Sequence, residues 1–181
     1  MPPDDAELSL QQLSLIHSEP LFRLTDRHRH YLRHWLPWVD SVTCLEDTEA
    51  FIGQIMAQHH QDGLPHCVVF CDDCLCGVVG FHQIDRQNAS GNLGYWLAPS
   101  HTGRGIMTWA AGQLVAQGFE QEGLHKIEIR CASDNRKSRA IPERLGFFHE
   151  GTLRDCEWLY DHYVDHAVYS LLVEEYQSRG L

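Results

Sequence analysis

Two glycines one residue apart, Gly103-Arg104-Gly105, stand between the strand-like run Tyr95-Trp96-Leu97 and a long helix-like stretch that begins at Ile106. A glycine turn leading into a helix is a device for binding phosphate. The first-turn N–H groups have no partner inside the helix, the helix dipole favours negative charge, and a residue without a β-carbon lets a ligand come close. The same glycines would equally serve a tight strand-to-helix connection with no ligand, and local chemistry leaves both readings open. A nucleotide P-loop is disfavoured, because no lysine followed by serine or threonine comes after the second glycine.

Further along, Asp134-Asn135 opens a short helix that Gly146 closes. Asn135 and Ser138 are three residues apart, so both can face one ligand from the first turns; Asn135 also fits a plain N-cap. Pro142 has no N–H for the carbonyl of Ser138, which predicts a kink there. The 13 histidines and 7 cysteines supply metal-ligand types without a metal-ligand pattern. Cys71, Cys74, Cys76 and His82 straddle a hairpin and should point to different faces, and His28, His30 and His34 lack a converging second pair. No metal is expected, and the cysteines read as reduced thiols, most of them small core residues.

The elements that must position these residues follow from apolar spacing. Residues 7–13 read as an opening strand and 17–36 as one or two short helices stopped by Pro37, with Trp35 and Trp38 flanking the elbow. Ala50, Phe51, Ile55 and Met56 recur at helical spacing within 46–61. Residues 66–71 and 75–81 form a hairpin across Asp72-Asp73-Cys74, and after a polar loop over 85–91 a third strand spans Leu93–Leu97. Met107, Ala110, Ala111, Leu114, Val115, Gly118 and Phe119 make one apolar stripe on the helix after the glycine turn. Ile127, Ile129 and Cys131 alternate as a strand, and two more strands run from Phe147 towards Trp158 and from Tyr163 to Val173.

With 181 residues, 43% of them apolar and 10% aromatic, the chain reads as one domain over 1–181 with a core that needs no metal or disulfide. A net charge of −11, with only 14 lysines and arginines, argues against nucleic acid and anionic membranes as partners. No apolar run is long enough to span a bilayer, and Met1-Pro2-Pro3-Asp4-Asp5 lacks the order of a signal peptide, so a cytoplasmic protein is expected.

Gly94-Tyr95-Trp96-Leu97, Gly103-Arg104-Gly105-Ile106-Met107, Asp134-Asn135-Arg136-Lys137-Ser138 and Leu145-Gly146-Phe147, in this order, resemble the acetyl-CoA core of the GNAT superfamily. Within it the chain is most similar to the RimJ/RimL branch of protein N-terminal acetyltransferases. The likeness extends through Glu150 to Arg154, Glu157-Trp158 and Tyr163 to His166, and includes Trp35-Leu36-Pro37-Trp38. It implies a mixed α/β (α+β) fold: a mostly antiparallel sheet splayed around acetyl-CoA, with helices on both faces.

The resemblance further implies coenzyme pyrophosphate on the backbone of Gly103, Arg104, Gly105, Ile106 and Met107, beside Thr102. Thr102 and Met107 depart from the family, which usually has glutamine or arginine at the first position and a small residue at the second. It implies a bulge in Leu93–Leu97 that frees backbone groups for the pantetheine at Trp96 and Leu97, and an N–H near Leu97 for the thioester oxygen. Asn135 and Ser138 complete the coenzyme side. Transfer to an amine needs a neutral nucleophile, and an α-amino group at a pKa of about 7.7–8.0 loses its proton far more easily than lysine at about 10.4. Glu157 matches the branch's general base, with Trp158 and Tyr160 as expected apolar walls; Ser138 matches its proton donor to sulfur. A surface glutamate remains the plain alternative for Glu157. Trp35, Trp38 and Tyr95 are the expected acceptor contacts. The implied acceptor is a protein N-terminus such as that of the ribosomal stalk protein. Small amines (a polyamine, amino sugar or aminoglycoside) and a non-catalytic acyl-CoA sensor stay open, as does a homodimer through the C-terminal strands or the tryptophan-bearing helices.

Overall fold

A computed structural model describes residues 6–63 and 65–179; the reading of Met1 to Asp5 lies outside the described residues. Among these residues seven strands form one sheet: β1 (Leu8–Gln12), β2 (His66–Cys71), β3 (Cys74–Asp85), β4 (Ser90–Leu97), β5 (Lys126–Ala132), β6 (Phe148–Leu159) and β7 (His162–Leu172). Their order is β1-β2-β3-β4-β5-β7-β6, antiparallel except between β4 and β5. The parallel step follows from the connection, because a strand reached through a long helix returns in the same direction.

That helix is α4 (Ile106–Glu120). Its stripe of Ile106, Met107, Ala110, Ala111, Leu114, Val115 and Phe119 is buried against Ile127, Ile129 and Phe81 of the sheet. Each large side chain placed there stabilises the fold by roughly 1.5–3 kcal/mol. The same face carries α5 (Arg136–Arg144) and α6 (Val173–Ser178), whose Tyr176 ring lies 5.0 Å from that of Phe119. The opposite face is covered by α1 (Ser18–Arg27), α2 (Arg29–Arg33) and α3 (Leu45–Asp62), with Leu13, Leu21, Ile52, Val68 and Val78 as their core.

Two boundaries and one bulge differ from expectation. Ser90, Gly91 and Asn92 belong to β4 and pair with Asp85, Ile84 and Gln83, so the expected loop shrinks to a turn. Residues 173–178 turn into α6 instead of ending a strand, held where the Leu172 N–H donates to the Glu175 carboxylate at 2.9 Å. The expected bulge within Leu93–Leu97 is not there: the register of β4 against β3 is regular from Leu93 to Leu97, and the shift falls in β3 between Phe81 and Gln83.

Candidate active site

What opens the sheet is the divergence of β4 from β5. The two pair only at Ser90/Lys126, Gly91/Ile127 and Asn92/Glu128, and beyond Asn92 they part. On its other side β4 stays bonded to β3, ending with the Ala98 N–H donating to the Cys76 carbonyl at 2.8 Å. Because successive backbone groups of a strand point to alternate sides, the N–H groups of Leu97 and Tyr95 face the gap. The gap therefore offers a ready strand edge without needing a bulge in β4.

At its mouth stands the N-terminus of α4. Gly103 and Gly105 have φ of 79° and 76°, left-handed values that a β-carbon makes costly. No side chain caps α4, and its first turn closes only with the Trp109 N–H donating to the Gly105 carbonyl at 3.0 Å. The preceding N–H groups are left for an anion, and the space where a β-carbon of Gly103 would stand is open. Lys137 and Arg144 line the same cavity of about 180 Å³, so this donor set fits the pyrophosphate of a coenzyme in an otherwise acidic protein.

The helix α5 forms the other wall. Asn135 caps it, its Oδ1 accepting the Ser138 N–H at 3.1 Å, and α5 runs through Pro142. Pro142 leaves the Ser138 carbonyl without its helical donor, and the Tyr95 hydroxyl donates to that carbonyl at 2.9 Å from across the gap. The Ser138 hydroxyl donates to Cys131 Sγ at 3.3 Å. Burial, with the Cys131 thiol beside it, pushes the Tyr95 phenol well above its ordinary value, and burial likewise raises the Cys131 thiol. Both stay protonated, so this corner holds hydrogen-bond donors and no standing charge.

On the opposite face of the sheet a second cleft of about 470 Å³ shares Leu36, Tyr95 and Trp96 with the coenzyme-side cavity. Trp38 stands in it with its ring 6.1 Å from that of Trp96. A third cleft, between α2 and the β6–β7 turn, shares Trp35 with the coenzyme side. Tyr160 ties these walls together: its hydroxyl donates to the Leu36 carbonyl and the Arg33 guanidinium lies 3.8 Å over its ring.

One cavity thus gathers Trp35, Tyr95, Trp96, Leu97, Thr102, Gly103, Gly105, Ile106, Met107, Asn135 and Ser138. Trp38, Arg104 and Glu157 lie outside its lining. The Arg104 side chain is exposed and turns towards Cys71. Glu157 is on β6 at the sheet margin, its Oε2 3.3 Å from His166 Nε2. Ala167 points into the core under α4, so its neighbour His166, and Glu157 with it, face the side of α1 and α3. The expected apolar walls of Glu157 are absent: strand alternation turns the half-exposed Trp158 to the other face against Tyr163, and Tyr160 is engaged with Leu36.

Sequence reasoning missed Lys137, Ile141 and Arg144 as cavity residues, although their i, i+4, i+7 spacing on one face of α5 is a legible signal. Among the described residues no three His, Cys, Asp or Glu side chains are grouped to hold a metal.

A sheet that opens beside an uncapped, glycine-started helix defines the class: an acyl-CoA-dependent acyltransferase. Residues 7–148 match the family described as acetyltransferase (GNAT) domain. The chain is 30% identical to the ribosomal-protein-serine acetyltransferase of Escherichia coli over 167 residues, 92% of this chain and 93% of that protein. It is 31% identical to the putative ribosomal N-acetyltransferase YdaF of Bacillus subtilis, over 89% and 88% of the two chains. Among solved structures, RimL, a ribosomal L7/L12 alpha-N-protein acetyltransferase in complex with coenzyme A, superposes with a TM-score of 0.89 at 26% identity, covering 96% of this chain and 98% of that one. The microcin C7 self-immunity acetyltransferase MccE, in complex with acetyl-CoA and AMP, superposes at 0.86 and 29% identity, over 92% of each chain. This chain belongs to the GNAT acetyltransferases, and acetyl-CoA is its acetyl donor.

Proposed function

We propose that the protein, acting as one unit over 1–181 in the cytoplasm, acetylates the α-amino group of a protein N-terminus, with a ribosomal protein as the first acceptor to test. One observation carries this reading: the N–H of Leu97 faces the gap at the coenzyme cavity, and that cavity borders the cleft beside Trp38 through the shared walls Leu36, Tyr95 and Trp96. An amine entering from the cleft meets a thioester entering from the cavity. Likeness to the Escherichia coli ribosomal-protein-serine acetyltransferase over nearly the whole chain supports the acceptor class.

Acetyl-CoA supplies the thioester carbon, and the amine lone pair attacks it as the C–N bond forms. The Leu97 N–H holds the oxygen that becomes negative. Glu157, which lines neither the coenzyme cavity nor the cleft beside Trp38, takes the amine proton through intervening water. The C–S bond then breaks, and the Ser138 hydroxyl, now donating to Cys131, turns to serve the departing sulfur. The net charge of −11 favours a cationic amine in the approach. A second copy of the chain is the partner we propose for the edge strand β6, where Phe148, Leu153 and Trp158 are exposed; sedimentation at 20.8 kDa alone would remove it.

The test is acetyl-CoA-dependent thiol release with N-terminal peptides, polyamines and aminoglycosides. Turnover on peptides that ends in Glu157→Gln supports the proposal. Turnover confined to small amines moves the acceptor class towards the second reading, which the likeness to MccE with its bound AMP favours. Tight acetyl-CoA binding with no turnover on any amine leaves the sensor.

A further inference from the structure

The acceptor-side cleft has a polar floor that the transfer chemistry above does not use. His66, on β2, is the cross-strand partner of Gly80 on β3, which is in turn the partner of Gly94 on β4. A β-carbon at Gly80 would overlap the His66 ring, and one at Gly94 would overlap the ring of His82. Two adjacent strands thus give up their side chains at one level of the sheet, and two imidazoles fill the trough. The register shift of β3 falls at His82, the residue it leaves unpaired, and a bulge is a common means of re-aiming a side chain. The two rings meet edge to face at 5.8 Å, and Phe51 meets His66 the same way at 6.0 Å.

The floor is also unsatisfied. His66 is 3% exposed, and its Nδ1, set against Gly80, has no hydrogen-bond partner among the described residues, so a turn of the ring is what brings it to a group in the cleft. A buried polar atom left unpaired costs free energy unless a ligand or water completes it. The charged side chain on the cleft wall is Asp47, whose carboxylate already accepts from the N–H of Thr43, its hydroxyl and the N–H of Cys44 at 2.8, 2.9 and 3.1 Å. Burial keeps the His66 imidazole neutral at ordinary pH, and His82, at the open rim, is shifted in the same direction; a neutral ring offers one donor and one acceptor. An ammonium or carboxylate placed here would be desolvated without a free counter-charge. An uncharged group that both donates and accepts matches the floor.

We propose that His66 and His82 determine acceptor specificity by hydrogen-bonding a hydroxyl or carboxamide that the acceptor carries near its reacting amine. The inference rests on the reading that this cleft admits the amine. The hydroxyl or carboxamide lies on the imidazole floor while the amine reaches the gap past Trp96, which borders both cavities.

The test compares isosteric acceptors: ethanolamine against propylamine, and peptides differing only in a first residue of serine, alanine, asparagine, leucine, lysine or aspartate. The wild-type protein is expected to prefer the hydroxyl or carboxamide member by about 10-fold or more in kcat/KM. In His66→Leu and His82→Leu that preference falls to within about 3-fold, and His82→Asn, which keeps a donor and an acceptor, restores part of it. His82 lies at the open rim, so its variants keep the test available if His66→Leu does not fold. A preference unchanged in the folded leucine variants overturns the inference, as does wild-type turnover with no preference, and in both cases the amine-acetyltransferase reading stands. Absence of turnover on every amine overturns that reading and this inference with it.

Discussion

The Tyr95 hydroxyl donates to the Ser138 carbonyl at 2.9 Å, and that carbonyl is free because the residue four positions on is Pro142. A defect in one helix and a phenol on a strand 43 residues earlier therefore form one joint across the coenzyme gap. Tyr95→Phe removes the donor and leaves a part-buried carbonyl unpaired, an expected loss of about 1–2 kcal/mol in unfolding free energy. Pro142→Ala supplies an N–H for the same carbonyl. The cost of Tyr95→Phe should shrink by at least half in the Pro142→Ala background, as a double-mutant cycle by chemical denaturation would show. Additive effects would mean that Tyr95 and Pro142 do not act on one acceptor.

Gly105 starts α4 at φ 76°, and its conformation sets the direction of the N–H groups that fit pyrophosphate. Gly105→Ala should cost about 1–2 kcal/mol at that position. The loss should appear as acetyl-CoA binding weakened about 5- to 30-fold by calorimetry, with kcat at saturating coenzyme changed far less. Unchanged affinity would take the glycine turn out of coenzyme binding.

Glu157 touches His166 and no wall of the coenzyme cavity. As a base acting through water it should be separable from binding: Glu157→Gln lowers kcat by about 100-fold or more and leaves the acetyl-CoA dissociation constant within about twofold. A variant that keeps its kcat would return Glu157 to the plain role of a surface carboxylate.

Much of the site was legible because its parts are local. Asn135 as a cap, the apolar stripe from Met107 to Phe119 and the glycine turn are each set by residues a few positions apart, and the structure has all three. The turn between β2 and β3 was legible too, since Asp72 and Asp73 at φ 50° and 61° are residue types that tolerate the left-handed region. What escaped depends on pairing between distant segments. Whether the gap comes from a bulge in β4 or from its parting with β5 is decided by register against Lys126 to Glu128, which no local pattern encodes. The same holds for Pro142: the sequence predicts a kink, whereas only the fold brings Tyr95 to the carbonyl it leaves open. The side to which Trp158 turns depends likewise on the pairing of β6 with Val164 and Tyr163.

The buried imidazole of His66 should leave a mark on stability against pH. Burial, helped by the nearby His82, holds His66 at about 3, far below the ordinary imidazole value of about 6.5. The unfolded chain takes up this proton as pH falls through about 6.5, while the folded chain does not until about 3. His66 therefore leaves stability untouched above about 6.5 and lowers it progressively between about 6.5 and 3, by at most about 1.4 kcal/mol per pH unit. His17 and His82, also lowered chiefly by burial, act in the same direction. Carboxylates blur the lower part of the window; Asp47, held at about 2 by its bonds to Thr43 and Cys44, loses its contribution only as pH falls from about 4. Urea midpoints between pH 7.5 and 4.5 isolate the histidine part. The wild-type protein should lose stability across that range, and His66→Leu should lose clearly less. Equal slopes would mean that His66 takes up its proton in the folded chain, and with it a counter-charge that the cleft does not show.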